Sequence, residues 1–568
     1  MVDLYTPQGE QISSAPLQSY PRPQMRRESY VNLNGWWAFT VSSQTQLPAC
    51  YDREILVPYC PESLLSGIHT HFPEGSSLFY RRLLPIKKPE NGNRILLHFG
   101  AVDQYAEIYV NQKLVCTHWD GYQAFSCDIT DFLQEENQLT VRATDDLRSC
   151  RMPYGKQTLT RGGMWYTPVS GIWQTVWLEE VPQSYIAELD IQTHDAQAVV
   201  TVTPALDGTV LFEGQTVALQ GGKAVLKPRN PQYWSPENPH LYTFTVKAGA
   251  DQVESYFALR TLSVKTVNGV HRLCLNGKPY FFHGLLDQGY YSDGLFTPAS
   301  EQNFENDILQ MKALGFNTLR KHIKVEPEQF YYLCDKLGMV VFQDMVNNGR
   351  YSFLRDTALP TIGLQKRSDR KLHKDPQGRK AFLQGMENTV QQLKNHPCVC
   401  YWTIFNEGWG QFDSDNVCAH LRTLDSSRFI DATSGWFRGE NTDVESLHIY
   451  FGSWKKLKSK NRPLVLSEFG GYCYAVEQHI FNPQKSYGYK SCKTSEDFCR
   501  DLEKLYTEKV IPAAQKGLCA AIYTQVSDVE DEINGLLTYD RKVCKVQPEP
   551  MLKIAAALRE AVEKGEKV

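Results

Sequence analysis

No stretch of 18 apolar residues occurs anywhere in this 568-residue chain, so nothing in it reads as a membrane-spanning helix. The opening residues, Met1 to Glu10, have neither a basic start nor an apolar core, which leads us to expect a cytoplasmic protein and no membrane partner. Charge of one sign is also missing: 60 Lys+Arg stand against 64 Asp+Glu, a net −4, so no global field selects nucleic acid. The fifteen cysteines are odd in number, and several (Cys274, Cys398, Cys400, Cys519) lie inside apolar runs. None falls in zinc-type spacing, and they read as reduced core thiols. There is no phosphate-cradling glycine loop, no His/Cys cluster, no internal repeat and no low-complexity tract, and no required cofactor or metal is expected.

What is present divides in three. Residues 1–182 carry short alternating segments (Ile95 to Phe99, Ala106 to Val110, Leu139 to Ala143) with turn signals at Asn91-Gly92-Asn93 and Asp120-Gly121, the pattern of an all-β domain. Residues 183–263 continue in β, with alternation at Ala198 to Thr203 and Tyr242 to Val246, and have the size of a small immunoglobulin-like sandwich. From 264 to 568 strands alternate with amphipathic helices, as in βαβ units. Helical stripes run through Phe304, Ile308, Met311 and Leu314, through Phe330, Leu333, Cys334 and Leu337, through Phe382, Met386, Val390 and Leu393, and through Phe498, Leu502 and Leu505. Strand candidates between them are Phe316 to Leu319, Met339 to Phe342, Cys398 to Phe405, Leu464 to Ser467 and Cys519 to Thr524. About 300 residues in this alternation suit one (β/α)8 TIM barrel.

Two glutamates stand where apolar strands run out into glycine-bearing loops: Glu407 in Asn406-Glu407-Gly408-Trp409-Gly410 and Glu468 in Ser467-Glu468-Phe469-Gly470-Gly471. Strand ends of such a barrel face the active site, and a glycosidic bond needs one ionised and one protonated carboxyl group. Arg320 and Asp344 end the second and third strand readings, and Asp287 ends the first, which favours the barrel mouth for all three. Asn406 is a candidate for the sugar 2-hydroxyl and His448 for another hydroxyl, while Trp409, Trp436, Tyr450, Tyr472 and Tyr523 follow or end strands and could stack on a pyranose. Lys366, Arg367, Arg370, Lys371, Lys374, Arg379 and Lys380 make a basic segment after strand three that could attract an acidic sugar.

The motifs resemble those of glycoside hydrolase family 2, the β-galactosidase, β-glucuronidase and β-mannosidase family. In the first part they are Asn32-Leu33-Asn34-Gly35-Trp36-Trp37, Phe79-Tyr80-Arg81-Arg82, His98-Phe99-Gly100-Ala101-Val102-Asp103, the stretch around Asp120-Gly121-Tyr122, and Met164-Trp165-Tyr166 through Gly171-Ile172-Trp173. In the barrel they are Gly315-Phe316-Asn317-Thr318-Leu319-Arg320, Asn395-His396-Pro397, Asn406-Glu407 and Ser467-Glu468-Phe469-Gly470. The resemblance implies an N-terminal jelly-roll sandwich, Glu407 as acid/base, Glu468 as nucleophile, and hydrolysis of a terminal β-linked sugar with retention. Bacterial β-glucuronidases grip the uronate carboxylate with an Asn-x-Lys, whereas the comparable place here reads Glu532-Ile533-Asn534-Gly535-Leu536. A β-galactoside is therefore the first expectation, with a β-hexuronide as the alternative and Arg350 and Lys366 to Arg370 as the cations it would need. A non-catalytic carbohydrate-binding protein is the rival of another class, and a homo-oligomer is compatible with either.

Overall fold

The computed structural model describes residues 1–359, 368–370, 372–437, 439–450, 454, 457–459 and 461–563. At the N-terminus a four-stranded antiparallel sheet (Tyr30–Asn32, Val176–Val181, Arg94–Phe99, Phe125–Asp128) faces a six-stranded one (Arg53–Val57, Gly35–Ser42, Ser77–Leu84, Asn137–Thr144, Tyr105–Val110, Lys113–Trp119). Alternate residues such as Trp37, Phe39, Val141 and Ile108 point between the sheets and form their core, as a pleat of period two requires. The next body pairs a three-stranded sheet (Glu188–His194, Gln197–Thr203, Lys223–Leu226) with a four-stranded one (Gln215–Leu219, Gly208–Phe212, Tyr242–Ala248, Asp251–Phe257) around its own apolar core.

Alternation with helices starts later than the sequence suggested. Leu262–Val267 and Val270–Leu275 form an antiparallel hairpin that also pairs with Lys278–Pro279. Its turns are Asn268-Gly269 and Asn276-Gly277, all four at positive φ, the left-handed pair that matches strand twist.

Eight parallel strands then build the barrel: β1 (Phe282–Asp287), β2 (Thr318–Lys321), β3 (Val340–Asp344), β4 (Val399–Asn406), β5 (Phe429–Ser434), β6 (Glu445–Ile449), β7 (Leu464–Gly470) and β8 (Leu518–Thr524). Every described residue of β1–β5, β7 and β8 is buried, so these strands read as apolar runs and not as alternations. Helices α1 (Glu301–Ala313), α2 (Glu328–Leu337), α3 (Pro376–Leu393), α4 (Ser414–Leu424), α5 (Ser495–Leu505) and α6 (Pro548–Glu563) cover the outside. The Asn303 side chain accepts from the Ser300 N–H at 3.1 Å to start α1, and the Asp375 carboxylate accepts from the Gln377 N–H at 3.0 Å, with Pro376 next, to start α3.

The backbone ladder runs through seven of the eight strand junctions. Between β5 and β6 no ladder forms among the described residues: one backbone bond (Asp443 N–H on the Ile430 carbonyl, 2.9 Å) is joined by side chains on β6 and the segment before it, the Ile430 N–H donating to Asp443 Oδ2 at 2.8 Å, the Ala432 N–H to Thr442 Oγ1 at 3.1 Å, and Ser434 Oγ bonding His448 Nε2 at 2.8 Å. None of the described helices is long and apolar enough to cross a membrane.

Candidate active site

Arg320, at the end of β2, organises the mouth of the barrel. Its side chain is 1% exposed, and its three nitrogens donate to Asp344 Oδ1 (2.9 Å), the Ser467 carbonyl (3.0 Å), Glu468 Oε1 (3.0 Å) and Asn406 Oδ1 (2.9 Å). One guanidinium thus ties β2 to β3, β4 and β7. Asp344 also accepts from His322, at 2.7 Å to Nδ1. Burial works to raise the Asp344 carboxyl, but Arg320 and His322 outweigh it and hold it low.

Glu468 closes the network from β7. Tyr450 donates its hydroxyl to Oε2 at 2.5 Å, and His448 Nε2 lies 3.5 Å from Oε1. Burial pushes the Glu468 carboxyl up, while the His448 imidazole and the Arg320 guanidinium pull it further down, to about 2. The group is therefore an anion at any ordinary pH, as a nucleophile needs.

Glu407 follows β4 with φ at +53°, left-handed for a residue with a Cβ. This bend ends strand alternation, so Asn406 and Glu407, neighbours in sequence, both serve the same mouth. The turn is pinned by the Glu407 N–H on the Ser434 carbonyl at 2.8 Å, and Gly408 (φ +75°) leaves no room for a Cβ against the Phe437 ring. The Glu407 carboxylate is more open than Glu468, with side-chain exposures of 17% and 6%, and its Oε1 is 2.8 Å from His448 Nδ1. One oxygen of each carboxylate and a His448 nitrogen all lie within 4.8 Å of one another. Those donors could also hold a metal ion, yet each already has a protein partner in Arg320, Tyr450, Ser434 or His448.

Of the residues anticipated from sequence, Glu407, Glu468, Arg320, Asp344, Asn406, His448 and Tyr450 are brought together here. Trp436 stands beside them, its ring 5.9 Å from His448. Three have their contacts elsewhere. Asp287 is bound by Lys321 Nζ at 2.7 Å and by the Gly289 N–H. Tyr523 is fully buried against the Phe469 ring and the backbone of Gly470, and Tyr472 lies under Lys490 Nζ, whose partner is Asp501 on α5. In the basic segment Lys366, Arg367 and Lys371 lie outside the described residues. Arg370 faces Asp413, and Arg350 and Lys374 line a cleft of about 470 Å³ next to Gly408 and Gly410.

Other residues of the mouth were not among the site residues expected from the sequence. Tyr489 stacks on Tyr450 with ring centroids 3.7 Å apart, and Tyr487 adjoins Tyr489. The N-terminal sandwich adds Trp165, packed on Tyr351 (4.8 Å) and Trp409 (4.9 Å), Tyr166, whose hydroxyl donates to Glu532 Oε2 at 2.5 Å, and Lys156. A repeated Tyr-x-Tyr at 487–489 after the Glu468 strand was the one cue available for Tyr487 and Tyr489.

A parallel barrel with two close carboxylates at the ends of β4 and β7 defines the glycoside-hydrolase class of site. Family models agree: the TIM barrel domain of glycosyl hydrolases family 2 matches residues 266–555, its galactose-binding domain-like model residues 68–160, and a further glycosyl hydrolases family 2 model residues 178–260. The chain belongs to glycosyl hydrolases family 2. It is similar to the β-galactosidase of Thermoanaerobacter pseudethanolicus (23% identical over 453 residues, 72% of this chain and 56% of that protein) and to the β-glucuronidase of Felis catus (25% over 478 residues, 72% and 69%). It spans between 40% and 69% of the length of such relatives. A β-glucuronidase from Ruminococcus gnavus, solved with D-glucuronic acid, shares the fold over 96% of this chain and all of that one, with TM-score 0.73 and 17% identity.

Proposed function

We propose that the chain hydrolyses the terminal β-linked sugar of a glycoside with retention of configuration. The observation that carries this reading is the approach of the two carboxylates, an oxygen of each within 4.8 Å. Retaining enzymes keep their carboxyl groups about 5–5.5 Å apart, whereas inverting ones leave about 6.5–9.5 Å for a water. Glu468, held ionised, attacks the anomeric carbon while Glu407 gives its proton to the departing glycosidic oxygen. Glu407 then takes a proton from water, whose oxygen attacks the same carbon and releases Glu468. Asn406 is turned by Arg320 so that its oxygen is occupied and its Nδ2 donors have no partner among the described residues, which suits a sugar hydroxyl. The relatives' names, β-galactosidase and β-glucuronidase, support a β-pyranoside and leave its C6 group open.

The test is proton NMR of the first-formed sugar from a panel of nitrophenyl β-glycosides, with Glu468→Gln as control. A β-anomer as first product, and loss of turnover in a folded Glu468→Gln protein, are expected. An α-anomer as first product, or Glu468→Gln activity within about tenfold of the parent, sinks the assignment.

A further inference from the structure

Among the described residues, most of the cations around the two carboxylates are already spoken for, and Lys156 and Arg350 stand without an ion pair. Arg320 has all three nitrogens engaged. Lys321 is held by Asp287 and Glu326, and Lys324 by Glu326 and two carbonyls. Arg541 is paired with Asp307 and Arg161 with Asp531. Lys156 has no carboxylate within 4.0 Å among the described residues, and its Nζ lies 5.5 Å from the centroid of the Trp165 ring, a cation–π contact.

Its backbone is fixed with some care. The N–H groups of Tyr154 and Gly155 both donate to the Asn347 carbonyl on the loop after β3 (3.1 and 3.2 Å), and the Tyr166 N–H donates to the Lys156 carbonyl at 3.0 Å. Gly155 is at φ +62°, where an added Cβ would come within 2.8 Å of the Ile323 carbonyl and of the Tyr122 hydroxyl. On the other side Gln157 is buried, donating to Asp103 and Tyr122 and accepting from the Val169 N–H. The loop is thus fastened to the barrel on one side of Lys156 and to the N-terminal sandwich on the other, and Lys156 is itself only half-buried.

The side chain reaches groups of the mouth. Burial is the main influence lowering the His322 imidazole, and the Lys156 ammonium adds to it. Burial likewise raises the Glu532 carboxyl, and Lys156 opposes that rise. His322 bonds Asp344, and Asp344 bonds the guanidinium that holds Glu468. Through Trp165, which packs on Trp409 two residues after Glu407, Lys156 adjoins the mouth on an anchored loop, with no ion pair within 4.0 Å among the described residues.

We propose that Lys156 is the specificity-determining cation of the site and takes the carboxylate of a β-hexuronide, an acidic sugar, in the reaction proposed above. This assigns to a loop of the N-terminal sandwich the role for which the sequence offered Arg350 and the segment from Lys366. A half-buried ammonium facing a bound carboxylate is worth most where water is excluded, and Trp165 shields one flank.

The experiment has a turnover arm and a binding arm, each on the full chain, Lys156→Met and Lys156→Arg, with thermal unfolding as the check on folding. In the first arm kcat/KM is measured on nitrophenyl β-glucuronide, β-galacturonide and β-galactoside. The parent is expected to prefer a hexuronide, and the hexuronide-to-galactoside ratio to fall about 100-fold in Lys156→Met and by much less in Lys156→Arg. In the second arm calorimetry reads the binding of free glucuronate and galacturonate against glucose and galactose. Uronate binding that is lost in Lys156→Met supports the assignment even if no glycoside is cleaved, in which case only the reaction fails. A parent that binds or cleaves the neutral sugars better, or a Lys156→Met variant with an unchanged ratio, overturns it.

Discussion

Replacing Arg320 by methionine keeps much of the side-chain volume and removes every charge-assisted bond it makes. Asp344 and Glu468 then remain in the barrel mouth without their shared cation, and breaking a buried pair in this way costs about 3–5 kcal/mol. At about 2–4 °C per kcal/mol for a domain of this size, unfolding should fall by roughly 6–20 °C. The proton chemistry should move too. Glu468 is held at about 2 against an ordinary value of 4.5, a gap equivalent to roughly 3 kcal/mol. Because its folded value is the lower one, this stabilisation is complete above pH 4.5 and is lost as pH falls through 2. Without Arg320 the folded value rises, so part of that stabilisation vanishes and activity begins to fail at higher pH. We expect the acid limb of kcat/KM, followed with a nitrophenyl glycoside from pH 3 to 8, to shift upward by at least about one unit. Arg320→Lys should fall between, since it restores charge without the planar fork. An acid limb identical to the parent's, together with unfolding within about 2 °C of it, would refute the reasoning.

Glu407→Ala should cost far more on alkyl glycosides than on nitrophenyl ones, because only a poor leaving group needs the proton; equal losses would remove Glu407 from the acid role. Gly435→Ala is a second probe of the same group. Gly435 is at φ +100°, and an added Cβ would lie 3.1 Å from His448 Nδ1 and 3.3 Å from Glu407 Cγ. We expect kcat to drop about tenfold or more with a modest loss of thermal stability, and kcat unchanged would mean that the Glu407–His448 contact does not matter.

The barrel was legible because fully buried strands and amphipathic helices leave strong, local marks. The Cys398 to Phe405 reading lies one residue from the observed Val399–Asn406, and all four apolar stripes fall on the helices α1, α2, α3 and α5. Strand ends in turn gave Glu407, Glu468, Arg320 and Asp344, since a charged residue closing an apolar run is drawn to the mouth, although Asp287 at the end of β1 turns to Lys321 instead. Periodicity gives a face and no further destination, which is why Tyr523 read like Tyr450 although one packs behind Gly470 and the other bonds Glu468. The place of Lys156 and Trp165 at the mouth was hidden for a different reason, even though Trp165 stood in a quoted motif. They occupy an irregular loop whose partners, Asn347, Trp409 and Glu532, lie some 190 to 370 residues away along the chain, in neighbours that no local pattern joins.

The junction between β5 and β6 gives the barrel an asymmetry that bears on how it gives way. At every other junction two strands part only by unzipping a row of peptide hydrogen bonds, but here a single peptide hydrogen bond and a handful of side-chain contacts hold the edge, His448 on Ser434 among them. The compliance of the cylinder is therefore concentrated on the line where the imidazole between Glu407 and Glu468 is mounted. Changes in loop length or sequence beside that line can re-aim His448 while the remaining seven junctions keep Arg320 and Glu468 in register.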